Sequence, residues 1–276
     1  MFKQGKKFVK TIAVTSGKTG VGKTTVTANL AVAMNRLGRK VMIMDSDFGL
    51  STVEVLLHVS PRFNIQQLLN NELSPKDILV EDPQGLSILS AGHGQQERAA
   101  LTELQQLKLL EVLDACTCDI DVLLVNTASG ISGNVAFFCS AAQEIIIVTS
   151  PERTSIDDAA TLITMLYSRY QEKQFQVLVN SAKSSEDSLE AFRRLSHATE
   201  QCQSISLDYL GYLPHDKAVQ AAVRAQRAFV DLYPGCPASR GIIEIVEKLL
   251  NSGDRIKGTL QFCTGQFLKT STGLPR

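Results

Sequence analysis

The stretch Gly17-Lys18-Thr19-Gly20-Val21-Gly22-Lys23-Thr24-Thr25 decides how the rest of the chain reads. It fits the pattern G-x-x-x-x-G-K-[ST], and its flanks suit a phosphate-binding loop. The apolar run Ile12-Ala13-Val14 precedes it, and Val26, Leu30, Ala33 and Leu37 follow at helical spacing. Glycines let backbone N–H groups converge on phosphate oxygens, and the start of the next helix adds partial positive charge. In such a loop Lys23 meets the β- and γ-phosphates and the Thr24 hydroxyl holds Mg²⁺.

Outside the loop, composition narrows the class. A chain of 276 residues with 44% hydrophobic and 20% charged residues suits one large α/β domain with a substantial core. Its formal net charge is zero, so no global field attracts nucleic acid, and a specific nucleic-acid partner is not expected. No apolar run reaches the length of a bilayer span. The six cysteines lack C-x-x-C spacing, and the nearest pair, Cys116 and Cys118, suits packing better than a metal or redox centre. A reducing cytoplasm is the expected setting.

Strand-like and helix-like runs alternate along the chain. Strands are expected at Lys40–Met44, Leu86–Leu89, Val122–Val125, Glu144–Thr149, Phe175–Val179 and Leu207–Leu213. Helical patterns fall at Leu104–Ala115, Val135–Ala141, Ser155–Tyr170 and Leu189–Cys202. Continuous apolar strands between helices predict an α/β fold: a single domain whose mostly parallel sheet is covered by helices on both faces. The expected division is an extension over 1–11, a P-loop domain over 12–252 and a tail over 253–276.

Ligands of such sheets bind beyond the carboxyl ends of the strands. Two polar groups stand there. Asp45-Ser46-Asp47-Phe48-Gly49-Leu50 follows the second strand, with carboxylates able to approach Mg²⁺ and an attacking water; a capped turn is the plainer reading. Asn126-Thr127-Ala128-Ser129-Gly130-Ile131-Ser132 follows Val122–Val125, with Asn where a metal-directed Asp is expected. His215 beside Asp216 has no nucleophile to serve and reads as a capped helix start.

Lys18 in K-T-G-V-G-K-T resembles the deviant Walker A loop of the MinD/ParA ATPases. Val41–Leu57, Asn126–Ser132, Ala141–Thr149, Ser155–Ala159, Leu213–Asp216 and Gly258–Phe262 extend the likeness over almost the whole chain, toward the FlhG/FleN flagellar-number regulators. The resemblance implies an ATP-dependent homodimeric switch with slow hydrolysis, using ATP/ADP and Mg²⁺. It makes Lys18 the lysine that crosses to the partner's nucleotide and Asp47 the residue that positions water. Gly17 to Thr25 would bind phosphate, Asn180 and Pro214 would frame adenine, and Thr24, Asp45 and Asn126 would face the metal. Implied partners are flagellar-assembly proteins, such as an FlhF-like GTPase or a flagellar transcription regulator. Division-site ATPases of the MinD kind and a non-hydrolysing nucleotide-dependent adaptor are the alternatives.

Three residues depart from the family pattern. Thr19 replaces Gly in a turn expected to want positive φ, Thr52 replaces Asn, and Asn126 replaces Asp. Nucleotide binding survives these changes better than hydrolysis does. The tail carries Arg255, Lys257, Lys269 and Arg276 with no acidic residue over 255–276. Two readings stand for it: contact with an anionic membrane surface, placing the protein peripherally at the inner face of the cell membrane, or packing on its own domain.

Overall fold

A computed structural model describes residues 8–47, 52–69, 77–82, 84–90, 100–117, 119–202, 204–253 and 261–263. Eight strands are described: β1 (Lys10–Ser16), β2 (Val41–Ser46), β3 (Leu79–Glu81), β4 (Ser87–Leu89), β5 (Val122–Ser129), β6 (Glu144–Thr149), β7 (Gln174–Ala182) and β8 (Ser206–Pro214). They form one sheet in the order β3-β4-β2-β5-β1-β6-β7-β8. Every neighbouring pair is parallel except β3 with β4.

The period-two geometry of strands sorts their apolar residues between two cores. Ala13, Met42, Met44, Leu123, Val125, Ile145 and Ile147 enter one core. Ile12, Val14, Val41, Ile43, Leu124, Ile146 and Val148 enter the other. Helices α3 (Ile65–Leu69), α4 (Glu103–Cys116), α5 (Gly133–Ala141), α6 (Arg153–Tyr170) and α7 (Ser185–Ala198) cover the first face. Helices α1 (Lys23–Arg36), α2 (Thr52–Leu57), α8 (Lys217–Arg224), α9 (Phe229–Leu232) and α10 (Pro237–Asn251) cover the second. The expected fold class is the observed one.

Several strands outrun their apolar runs. β1 starts at Lys10, β2 continues through Asp45 and Ser46, and β5 continues through Asn126 to Ser129. The extensions are held by backbone pairing, with Asp45 opposite Asn126 and Ser46 opposite Thr127. At the amino end of the sheet, Lys10 enters the core and is tied down on all sides. Its Nζ donates to Leu249 O at 2.6 Å and to Ser252 Oγ at 2.6 Å, and pairs with Glu144 Oε1 at 3.0 Å. A cation there meets the carbonyl end of α10, where the helix carries partial negative charge.

Of the tail, Gln261–Cys263 pack on the domain. Phe262 is fully buried against Phe137 and Phe138, and its N–H donates to Ala141 O at 2.8 Å. Residues 254–260 and 264–276, where the membrane reading falls, lie outside the described residues, as do Phe48 to Ser51. Among the described residues no helix is long and apolar enough to cross a membrane.

Candidate functional site

The loop between β1 and α1 is shaped by two left-handed glycines, Gly20 at φ 84° and Gly22 at φ 90°. Thr19 keeps negative φ, so the β-branched side chain expected to strain the turn sits in ordinary backbone and points outward. Gly17 and Gly22 are needed for a second reason, close approach. A Cβ on Gly17 would lie 2.2 Å from the Asp158 carbonyl of α6, and one on Gly22 would lie 2.3 Å from Asn180 Nδ2. α1 starts at Gly22 with no side-chain cap, whereas Thr102, Ser132, Ser184 and Asp216 cap α4, α5, α7 and α8. An uncapped first turn leaves N–H groups available to an anion. The glycine cradle and this open helix start therefore fit a polyphosphate.

Beside the loop opens a cleft of about 400 Å³, walled by Lys18, Thr19, Gly20, Val21, Gly22, Ser150, Glu152, Asn180 and Ser181. The Asn180 amide donates to Val21 O at 2.7 Å, binding the far wall to the loop. Pro214 stands next to this end, paired with Ala182, but does not line the cleft. A larger cavity, of about 520 Å³, lies beside α2 among Glu54, His58, Arg62, Ser90 and Gln226. No loop residue lines it, so its size does not make it the phosphate site.

Behind the loop, four polar side chains form a buried network centred on Asn126. Its Oδ1 accepts from Lys23 Nζ at 3.1 Å and from Thr27 Oγ1 at 3.2 Å. Its Nδ2 donates to Asp45 Oδ1 at 2.9 Å and lies 3.4 Å from Thr24 Oγ1. Lysine can only donate and a carboxylate can only accept, so these neighbours fix which way the amide points. Asn126 thus turns its oxygen to Lys23 and an N–H to the side where Thr24 and Asp45 stand.

Burial dominates the electrostatics here. It pushes the Lys23 pKa down, opposed first by Asp47 and then by Asp45. It pushes the Asp45 carboxyl up, opposed by the Asn126 hydrogen bond and then by Lys23. Asp45 is fully buried and also accepts from the N–H groups of Val53 and Asp47, both at 3.3 Å. Asp47 lies 3.9 Å from Lys23 Nζ. The hydroxyl of Thr24 and the carboxylate of Asp45 are hard oxygen donors of the kind Mg²⁺ takes alongside phosphate and water. Among the described residues no group of three or more His, Cys, Asp or Glu could hold a metal ion by itself.

Lys18 is set apart from this network. Its Nζ reaches Glu152 Oε2 and Thr154 Oγ1, each at 2.7 Å, at the start of α6. The lysine side chain is 34% exposed and that of Glu152 69%. Exposed pairs of this kind are worth about 0–1 kcal/mol, so little holds Lys18 in this position.

The family model described as "ParA: NUBPL iron-transfer P-loop NTPase" matches residues 7–250. The chain belongs to the MinD/ParA family of P-loop NTPases. Among its relatives is the antiactivator FleN of Pseudomonas aeruginosa, 37% identical over 241 residues, which span 87% of this chain and 86% of that one. The flagellum site-determining protein YlxH of Helicobacter pylori is 28% identical over 242 residues, covering 88% and 82%. Among solved structures, the septum site-determining protein MinD of Pyrococcus horikoshii, complexed with Mg-ADP, superposes with a TM-score of 0.73 at 22% identity, covering 88% and 97%.

Within this MinD/ParA chain, Lys23, Thr24, Asp45, Asp47 and Asn126 lie together behind the loop. The sequence reading missed Thr27 and Glu152. Thr27 had a signal, since it lies one helical turn after Lys23 on the same face of α1. Glu152 had none, being 134 residues from Lys18.

Proposed function

We propose that this protein is an ATP-dependent, dimerising switch with slow ATP hydrolysis that regulates flagellar number or placement. The observation that supports the reading is the different setting of the two loop lysines. Lys23 is buried against Asn126 and Asp47, ready to meet its own nucleotide's phosphates. Lys18 is held only at the surface and can exchange Glu152 for the phosphate of a nucleotide on a second copy. Thr24 and Asp45 would hold Mg²⁺, the loop from Gly17 to Thr25 would hold the phosphates, and Asn180 and Pro214 would flank the base. Bound Mg²⁺ supplies charge neutralisation at the phosphates, and Asp47 would orient the water.

The flagellar role rests on the likeness to FleN and YlxH, and its partners would be an FlhF-like GTPase or a flagellar transcription regulator. A cytoplasmic protein that meets the inner membrane face through its basic tail completes the proposal. Asn126 favours a second reading, a nucleotide-dependent adaptor that scarcely hydrolyses ATP, because an amide N–H faces the metal side in place of a carboxylate.

Light scattering with ATP and Mg²⁺ tests the switch. The wild type is expected to dimerise, and Lys18→Ala to stay monomeric while still binding ATP. A wild type that remains monomeric with bound ATP would remove the switch.

A further inference from the structure

We propose that the cavity of about 520 Å³ beside α2 is an effector site for a small zwitterion with a basic side chain, an amino acid of the lysine or arginine class. Its cationic end would meet Glu54 and its carboxylate Arg62. The site is separate from the phosphate loop, and only its coupling to nucleotide rests on the reading that Asp45 faces Mg²⁺.

Glu54 selects for a cation. It belongs to α2, is only 4% exposed, and lines the cavity. Its Oε1 accepts from the hydroxyl of Ser90, another wall residue just past β4, whose carbonyl in turn accepts from the Ile65 N–H at 2.9 Å. A carboxylate this far from water gains most from a cation delivered into the same low-dielectric space. Arg62 lines the same cavity but is exposed, and among the described residues it pairs with no carboxylate. The two charges therefore differ in depth, and that sorts the ligand. A simple anion would be set against Glu54, and a simple cation would leave Arg62 unmet. A molecule with a cationic nitrogen at one end and a carboxylate at the other satisfies both. Val59, Pro61 and Phe63 form the apolar part of the wall and suit an aliphatic stem.

The walls are braced from outside. Asn64 and Gln67 each donate a backbone N–H to the other's side-chain oxygen at 3.1 Å, fixing the chain as it enters α3. His58 Nδ1 stands 3.1 Å from Gln226 Oε1, joining the end of α2 to the turn after α8. Both of these residues sit at φ 52°, a backbone that persists where its surroundings hold it. A preformed, mostly enclosed mixture of apolar walls and a few charged groups is the usual setting for a small molecule. The same helix reaches the nucleotide site. The N–H of Val53, next to Glu54 in the chain, donates to Asp45 Oδ2 at 3.3 Å. A ligand that pins Glu54 steadies this N–H on Asp45, and Mg-ADP steadies Asp45 from the other side. Each ligand should tighten the other, and by the same factor.

The test is calorimetry near neutral pH with L-arginine, L-lysine, L-citrulline and agmatine. Citrulline replaces the cationic end by a neutral urea, and agmatine lacks the carboxylate. Wild type should bind L-arginine or L-lysine with a Kd on the order of 1 mM, as suits a ligand of this size. The better of the two should bind at least about tenfold tighter than citrulline, the worth of a hydrogen bond to a charged group. Glu54→Gln keeps the volume and the acceptor for Ser90, and it should bring that ligand down to the level of citrulline. Arg62→Ala, at an exposed position, should erase the advantage of L-arginine over agmatine. Mg-ADP should tighten the amino acid by about threefold or more. No binding of L-arginine or L-lysine at about 20 mM overturns the site, as does unchanged affinity in Glu54→Gln or equal binding of L-arginine and citrulline. Amino-acid binding that Mg-ADP leaves unaltered overturns the coupling. A wild type that binds the amino acid and no Mg-ADP overturns the nucleotide reading instead, a result distinguishable from the others.

Discussion

Replacing Asn126 by Asp restores the expected carboxylate in nearly the same volume, and the geometry sets out what should follow. The substituted oxygen would stand where Nδ2 now donates to Asp45 Oδ1 at 2.9 Å. Two unit negative charges at that distance repel by about 6 kcal/mol at an effective dielectric of about 20. Attraction to Lys23 Nζ, now 3.1 Å from the amide oxygen, returns about 5 kcal/mol on the same scale. The near-cancellation leaves the desolvation of a second buried carboxylate, which costs several kcal/mol, as the deciding effect without ligand. Nucleotide-free Asn126→Asp is therefore expected to melt below wild type. Mg²⁺ and nucleotide reverse the sign, because two carboxylates then face a dication. The variant should gain more melting temperature from Mg-ADP than wild type does. It should also hydrolyse ATP at least several-fold faster, a barrier change of about 1 kcal/mol. Calorimetry, Mg²⁺ titration and steady-state turnover measure the three effects. Equal turnover at saturating Mg²⁺, with equal gains from Mg-ADP, would refute the reasoning and show that charge at this position is not what limits the chain.

Gly22→Ala combines a positive φ with a Cβ 2.3 Å from Asn180 Nδ2, so binding of ADP should fall by more than tenfold even if the fold survives; calorimetry beside circular dichroism separates the two. Burial raises the Asp45 pKa above its unfolded value, so the favourable contribution of this group is present below the unfolded pKa and is lost as pH rises through the folded one. The melting temperature of Asp45→Asn relative to wild type should accordingly climb as pH rises above the ordinary carboxylate pKa of about 4, and a difference that stays constant with pH would contradict the assignment. Lys10→Met strands Glu144 at the buried end of the sheet and should destabilise the domain by about 3–5 kcal/mol in urea unfolding, whereas a loss under about 1 kcal/mol would show the ion pair to be dispensable.

The sequence alone determined the fold class and the phosphate loop, because both are written in local chemistry. Alternating apolar runs state which segments are buried on two faces, and the spacing of Gly17, Gly22, Lys23 and Thr24 states what the first turn can hold. Polar strand ends were not legible in that way. Asp45, Asn126 and Asn180 carry no apolar signal, and they belong to strands only because neighbouring backbones pair with them. β3 was missed for a similar reason: a three-residue edge strand is defined by its antiparallel partner and hardly at all by its own composition. The tertiary structure also decided every contact that spans the chain: Lys18 with Glu152, Lys10 with Glu144 and Ser252, and Phe262 with α5. It decided the orientation of Asn126 as well. A side-chain amide has a donor end and an acceptor end of nearly equal shape, so its direction is set only by what surrounds it. Here a lysine and a carboxylate from opposite sides of the sheet's carboxyl edge make that choice.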